Sequence, residues 1–160
     1  KNWHCQLNTA VHEVNQAQRQ RFWNRIESVM GSDLKGKKIA FWGISFKPQT
    51  DDIRESPAIN LIQQAIKAGA TVMAYDPVAG PNLEAQLPEV AQAKDLYAAA
   101  EGAHAVVVST EWNEFRTPDL NRVRMAMAEP LLFDGRNIFD PQQMQASGFK
   151  YHSIGRASTG

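Results

Sequence analysis

Of the 160 residues only Cys5 is a cysteine, so no internal disulfide can form and the expected compartment is the reducing cytoplasm. Net charge is missing as well. Seventeen Lys and Arg balance seventeen Asp and Glu, which removes any general electrostatic case for nucleic acid or an anionic membrane surface. No apolar run approaches the roughly 18 residues a membrane span requires, and no signal-peptide pattern opens the chain. His4, His12, His104 and His152 are scattered without metal-ligand spacing, so no metal is expected. Cys5 has neither a glycine turn nor an adjacent base, which reads as an inert thiol. The chain opens at Lys1 inside a helix-like pattern with no methionine, and the expectation is a piece of a longer polypeptide.

What is present begins with an arm. Residues 6–30 contain no Gly or Pro and place Leu7, Val11 and Val14 at helical spacing, resumed by Phe22, Ile26 and Val29. That predicts a helix of roughly 36 Å, too long and too polar on its other faces to be fully wrapped by the small domain that follows. Trp3, Phe22 and Trp23 on such an arm imply a surface covered by another subunit or by a domain outside this chain. From Gly36 onward short apolar strands alternate with helices. Strands are predicted at 38–44, 71–76, 105–110, 130–135 and 150–155, and helices at 57–68, about 93–101, about 118–127 and 140–147. Residues 76–90, "DPVAGPNLEAQLPEV", read as a Pro-punctuated surface connection. The pattern predicts an α/β fold, a Rossmann-like doubly wound parallel sheet in three layers, preceded by a long helix. Residues 1–32 are assigned to the arm and 33–160 to the domain.

Chemistry concentrates in "GISFKPQTDDIRESP", residues 43–57. A strand-to-helix connection usually takes about 2–6 residues; this one is longer and carries Lys47, Arg54 and three carboxylates. Ser56 can cap the following helix, Pro57 suits its first position, and Gly69 ends it, so its N-terminus faces the carboxyl edge of the first strand. Ligands bind at that edge in doubly wound folds, and the helix dipole favours anions. Lys47 and Arg54 could therefore meet phosphate oxygens, or could pair with Asp51, Asp52 and Glu55 as surface ion bridges; spacing leaves both open. Arg136 in "FDGRN" stands past another strand on the same rim as Lys47. Gly43-x-Ser45 is not G-x-G-x-x-G, so the dinucleotide fingerprint is absent. Asp76 holds the position of a ribose-binding acid, yet without that fingerprint "YDP" reads as a turn. "STEWNEF", residues 109–115, ends the third strand and could supply rim contacts, although Trp112 and Phe115 read as packing residues.

"FWGISFKPQTDDIRESPAINL", "STEWNEFR" and "FDGRNIFDPQQMQASGFKYHSIGR" resemble, in order, the signatures of the C-terminal domain of the UDP-glucose/GDP-mannose dehydrogenase family. The later two resemble the branch that oxidises UDP-glucose. "VNQAQ" is similar to the central helix that joins the family's two Rossmann-like domains and builds its dimer. The resemblance implies an enzyme that oxidises the C6 alcohol of UDP-glucose to a carboxylate. It does so in two hydride transfers to NAD, through a cysteine-bound thiohemiacetal and thioester. By motif match Phe46, Lys47 and Arg136 contact the UDP-sugar, and Arg54 reaches toward NAD. The family's N-terminal NAD-binding domain, catalytic cysteine motif and catalytic Lys and Asn match nothing here. No catalytic residue is therefore expected in this portion, and alone it is expected to be inactive. Implied partners are UDP-glucose, the N-terminal dehydrogenase domain and a second copy paired through the helix. UDP-N-acetylmannosamine or GDP-mannose as substrate, and a non-catalytic dimerising module, stand as alternatives.

Overall fold

The structure, a computed structural model, describes residues 6–156, apart from the side chains of residues 6–8 and 12. Trp3, His4 and Cys5, and the side chains of Leu7 and His12, fall outside the described residues. Helix α1 (Gln6–Met30) leads into six strands: β1 (Lys38–Trp42), β2 (Thr71–Tyr75), β3 (Ala91–Gln92), β4 (Ala105–Val108), β5 (Leu131–Asp134) and β6 (Lys150–Ser153). Between them run α2 (Pro57–Lys67), α3 (Gly80–Gln86), α4 (Leu96–Ala100), α5 (Asn113–Arg116), α6 (Leu120–Ala126) and α7 (Pro141–Ala146). The strands form one sheet in the order β3-β2-β1-β4-β5-β6, every pairing parallel. The chain order turns back at β1, so the neighbouring carboxyl ends of β1 and β4 frame a crevice.

Strand periodicity explains the two-sided core. Ile39 and Phe41 of β1, Ala105 and Val107 of β4, and Leu131 and Phe133 of β5 join one buried cluster with α1 and α2. Ala40, Trp42, Val106, Val108, Leu132 and Tyr151 join the other, beneath α4, α6 and α7. Alternate side chains point to opposite faces, and helices on both faces require apolar residues at every strand position. The central strands β4 and β5 are accordingly buried at all positions.

Helix α2 forms as its local signals direct. Ser56 accepts a hydrogen bond from the Ala58 N–H at 3.2 Å, Pro57 starts the helix, and Gly69 lies just beyond its end at φ 95°. Two expectations need correction. Residues 76–90 hold helix α3, and residues 91–92 add the edge strand β3. Leu83 is the inward anchor of α3, too few apolar positions in seven residues to establish a helical period. Phe22 and Trp23 need no other subunit to cover them: they are 8% and 4% exposed, packed with Ile26 against this chain's own sheet face. The earlier half of α1 does stand clear of the domain, with Val11 52% and Val14 59% exposed.

Candidate functional site

The 43–57 connection is an ordered loop anchored from three directions. At its base Gly43 has φ 86°, and a Cβ there would fall 2.5 Å from the Thr110 Cβ and 2.8 Å from the Thr110 N. Only glycine combines that backbone with so close an approach. The Thr110 hydroxyl donates to the Ser45 carbonyl at 2.6 Å, and the Ser56 hydroxyl to the Ile44 carbonyl at 2.6 Å. Across the loop the Phe46 N–H donates to the Asp52 carbonyl at 2.8 Å. Gln49 and Glu55 take positive φ values of 62° and 57°, tight corners that push the charged residues between them outward.

Asp76 is the fastening that the sequence did not reveal. It is 8% exposed. Its Oδ2 accepts from the N–H groups of Ile44 and Ser45 at 2.7 and 3.0 Å, the Ser45 hydroxyl at 2.9 Å and the Trp112 indole at 3.2 Å. Its Oδ1 accepts from the N–H groups of Val78 and Ala79 at 3.0 and 2.9 Å. Burial pushes this carboxyl up, but the donors from Ile44, Ser45, Val78 and Ala79 outweigh it and hold the group below the usual carboxylate range. The Val78 and Ala79 bonds make the turn that "YDP" suggested. An acid with both oxygens so occupied has no capacity left for ribose hydroxyls.

A cleft of about 290 Å³ opens at the carboxyl edge of the sheet. Phe46 from the loop, Pro57 and Leu61 from α2, Ser109 after β4, and Gly135 and Arg136 after β5 form one wall. The other wall is α1, through Asn15, Gln18, Arg19 and Phe22. Phe46 is 51% exposed, a large apolar ring held in solvent. Ser109 is 6% exposed, and its hydroxyl is buried without a hydrogen-bond partner. An unpaired polar atom under a cleft marks a place where a ligand can supply what the protein does not. The start of α2 borders the same space, adding its positive dipole end.

Of the four residues singled out in the sequence, Phe46 and Arg136 meet in this cleft. Arg136 is held by an ion pair from its Nε to Glu111 Oε2. That hydrogen bond, more than any other influence, keeps the Glu111 carboxyl below its usual range. Lys47 is exposed and does not line the cleft. Arg54 lies along a separate shallow depression with Thr50, Asp51, Asn82 and Gln86. There its Nε and Nη2 grip Asp52 Oδ1 and Oδ2 at 2.9 and 2.8 Å. Hydrogen bonding from that guanidinium brings the Asp52 carboxyl down to about 2. The surface ion bridge expected as the plainer reading of Arg54 is thus formed, with Asp52 rather than with Asp51 or Glu55. Phe115 packs on Trp42 with ring centroids 5.7 Å apart, and Trp112 packs against the same buried cluster while its indole N–H donates to Ser45 and Asp76.

Sequence reasoning passed over the α1 wall, although Asn15, Gln18, Arg19 and Phe22 recur at the i, i+3, i+4, i+7 spacing of one helix face. Arg19 donates to the Glu55 carbonyl at 2.8 Å and ties that wall to the loop. Glu111 lies in the 109–115 stretch expected to offer rim contacts, but its pairing was hidden, since Arg136 lies 25 residues onward in the connection after a different strand.

The model of the UDP-glucose/GDP-mannose dehydrogenase family, UDP binding domain, matches residues 40–141. The chain belongs to this family. It is 38% identical over 166 residues to UDP-glucose 6-dehydrogenase of Pseudomonas aeruginosa, covering 100% of this chain and 37% of that protein. With UDP-glucose 6-dehydrogenase of Bacillus subtilis it shares 43% identity over 148 residues, 92% of this chain and 32% of the relative. Among solved structures, a UDP-glucose dehydrogenase from the hyperthermophilic archaeon Pyrobaculum islandicum superposes with a TM-score of 0.77 at 25% identity. That superposition covers 93% of this chain and 32% of that structure. The chain spans about a third of the length of the relatives it matches. As a UDP-binding domain of this family it has the Rossmann strand order without the Rossmann ligand groups, because the glycine fingerprint is missing and the ribose acid is saturated.

Proposed function

We propose that this chain supplies the UDP-sugar wall of the substrate cleft in a cytoplasmic, NAD-dependent UDP-glucose 6-dehydrogenase. One observation carries the reading. Phe46 and Arg136, from separate connections, converge with the start of α2 and one face of α1 on a single cleft, and the chain belongs to a family described by its UDP binding. Arg136 meets the pyrophosphate, its planar fork suited to two phosphate oxygens. Phe46 covers the nucleotide, and Lys47 swings its flexible ammonium in from the rim as a point charge. The reaction removes two hydrides from C6 of UDP-glucose and takes the second carboxylate oxygen from water.

NAD would supply the hydride acceptor. The Asp76 cluster is closed to it, and the family resemblance implies that Arg54, whose side chain is 87% exposed on the loop's outer side, is the group of this chain that reaches toward it. The nicotinamide domain and the nucleophile belong to parts of the enzyme beyond this domain, and the isolated domain is inactive by this reading. Residues 1–32 serve as part of the central helix, and a second copy pairs along the exposed half of α1, where Val11 and Val14 face solvent.

Titration calorimetry of the full chain tests the proposal. UDP-glucose should bind saturably and better than GDP-mannose or UDP-N-acetylmannosamine. Arg136→Ala should weaken it about ten- to a hundred-fold, the value of a charge-assisted contact, and Lys47→Ala should weaken it less. No UDP-glucose binding, or binding untouched by Arg136→Ala, overturns the proposal.

A further inference from the structure

We infer that Glu111 is a positioning residue for the phosphate grip, holding the Arg136 guanidinium so that its outer edge faces the incoming diphosphate. The inference rests on the UDP-sugar reading above and assigns a role to a carboxylate that contacts no ligand itself. Its basis is a contrast between two arginine–carboxylate pairs. Asp52 occupies both Nε and Nη2 of Arg54, consuming one whole edge of that guanidinium. Glu111 takes the Nε of Arg136. Among the described residues no hydrogen bond engages the Arg136 Nη1 or Nη2, and those two nitrogens form the end-on edge that binds a phosphate bidentately.

The mounting on either side of Arg136 is stiff. Its own N–H donates to Asp134 Oδ1 at 2.9 Å, and Asp134 is fully buried. Asn137 follows at φ 55°, exchanging hydrogen bonds with the Ile154 backbone at 3.0 and 3.1 Å. The backbone is therefore fixed at residues 134–137, and the long side chain remains the mobile part. An arginine side chain loses much rotamer freedom when it seizes a ligand. A carboxylate on Nε removes that freedom beforehand, so less is lost on binding. Glu111 is itself steadied, with its side chain 26% exposed against 36% for Arg136.

The opposing effect is repulsion between the Glu111 carboxylate and a phosphate. Water at the cleft mouth and salt screen it, and the intervening guanidinium separates the two anions. Ordering therefore outweighs repulsion, which gives the inference its sign. Glu111→Ala should weaken UDP by about five- to tenfold, the scale of one net hydrogen bond, and Glu111→Gln by less, since an amide oxygen still accepts from Nε.

The test is calorimetric titration of UDP and of uridine into the full chain and its Glu111→Ala, Arg136→Ala and doubly substituted forms. Four results are expected together. UDP binds the unaltered chain, Glu111→Ala weakens UDP, uridine affinity stays the same in that variant, and Glu111→Ala adds nothing once Arg136 is alanine. Tighter or unchanged UDP binding in Glu111→Ala, an equal loss for uridine, or additive losses in the double variant would overturn the positioning role. If UDP fails to bind the unaltered chain, the UDP-sugar reading falls and this inference with it. Loss in Arg136→Ala without loss in Glu111→Ala spares that reading and removes the inference alone.

Discussion

The base of the 43–57 loop and its rim are built from the same kinds of residue and used in opposite ways. At the base, Asp76 is buried and accepts from six donors. At the rim, Asp52 keeps a side chain 38% exposed and serves a single residue, accepting from the guanidinium and the backbone N–H of Arg54. A carboxylate surrounded by donors out of water is a structural rivet, because the donors of Ile44, Ser45 and Ala79 would be left buried without it. A carboxylate in solvent can be exchanged for another anion at little cost. The loop can thus be rigid where it meets the sheet and available where it meets a ligand.

The largest expected effect comes from breaking the rivet. Asp76→Ala strands several buried donors and should destabilise the chain by about 3–5 kcal/mol, measured by urea denaturation. A loss under ~1 kcal/mol would mean the base is no more structural than the rim. Gly43→Ala tests the same region sterically. A Cβ 2.5 Å from that of Thr110, on a backbone at φ 86°, should cost about 2–3 kcal/mol, and Thr110→Ala should not recover it, because alanine keeps the Cβ and N–H that the new methyl meets.

Acid should separate the two regions next. Asp76 and Asp52 both titrate below the ordinary carboxylate value, Asp76 through its backbone donors despite burial and Asp52 through Arg54. A group depressed on folding adds stability that is complete above its unfolded value and disappears as pH falls through its folded one. The thermal midpoint should therefore drop as pH falls below about 4, and Asp76→Asn should flatten that drop. The smallest effect belongs to the rim: Asp52→Asn should lower the denaturation midpoint at neutral pH only slightly, because water screens its pair with Arg54. A clear loss there would erase the contrast.

Much of this architecture was legible in residues 36–156, because strands buried on both faces read as continuous apolar runs and α2 carries its own start and stop. The edge was not. β3 is two residues long and α3 buries a single leucine, so neither establishes a period. In the site, Phe46 and Arg136 could be found from their motifs, whereas Asp76 looked like a turn residue and is also the keystone of the loop base. Its donors at Ile44 and Ser45 lie 32 and 31 residues away and reach it through β1–β2 pairing alone. The pairing of Glu111 with Arg136 and the polar face of α1 were hidden for the same reason, since sequence order does not show which connections share an edge of the sheet. The cover of Phe22 and Trp23 was not legible because the length of the arm does not show which half of it enters the core.

The most direct test follows backbone amide resonances of the full chain as UDP is added. The account predicts saturable shifts at Phe46, Ser109, Gly135 and Arg136 and along Asn15, Gln18 and Arg19 of α1, the residues lining one cleft. Thr50, Asn82 and Gln86, around the Arg54 depression, should stay still. Shifts centred on that depression, or scattered over the surface without saturation, would contradict it.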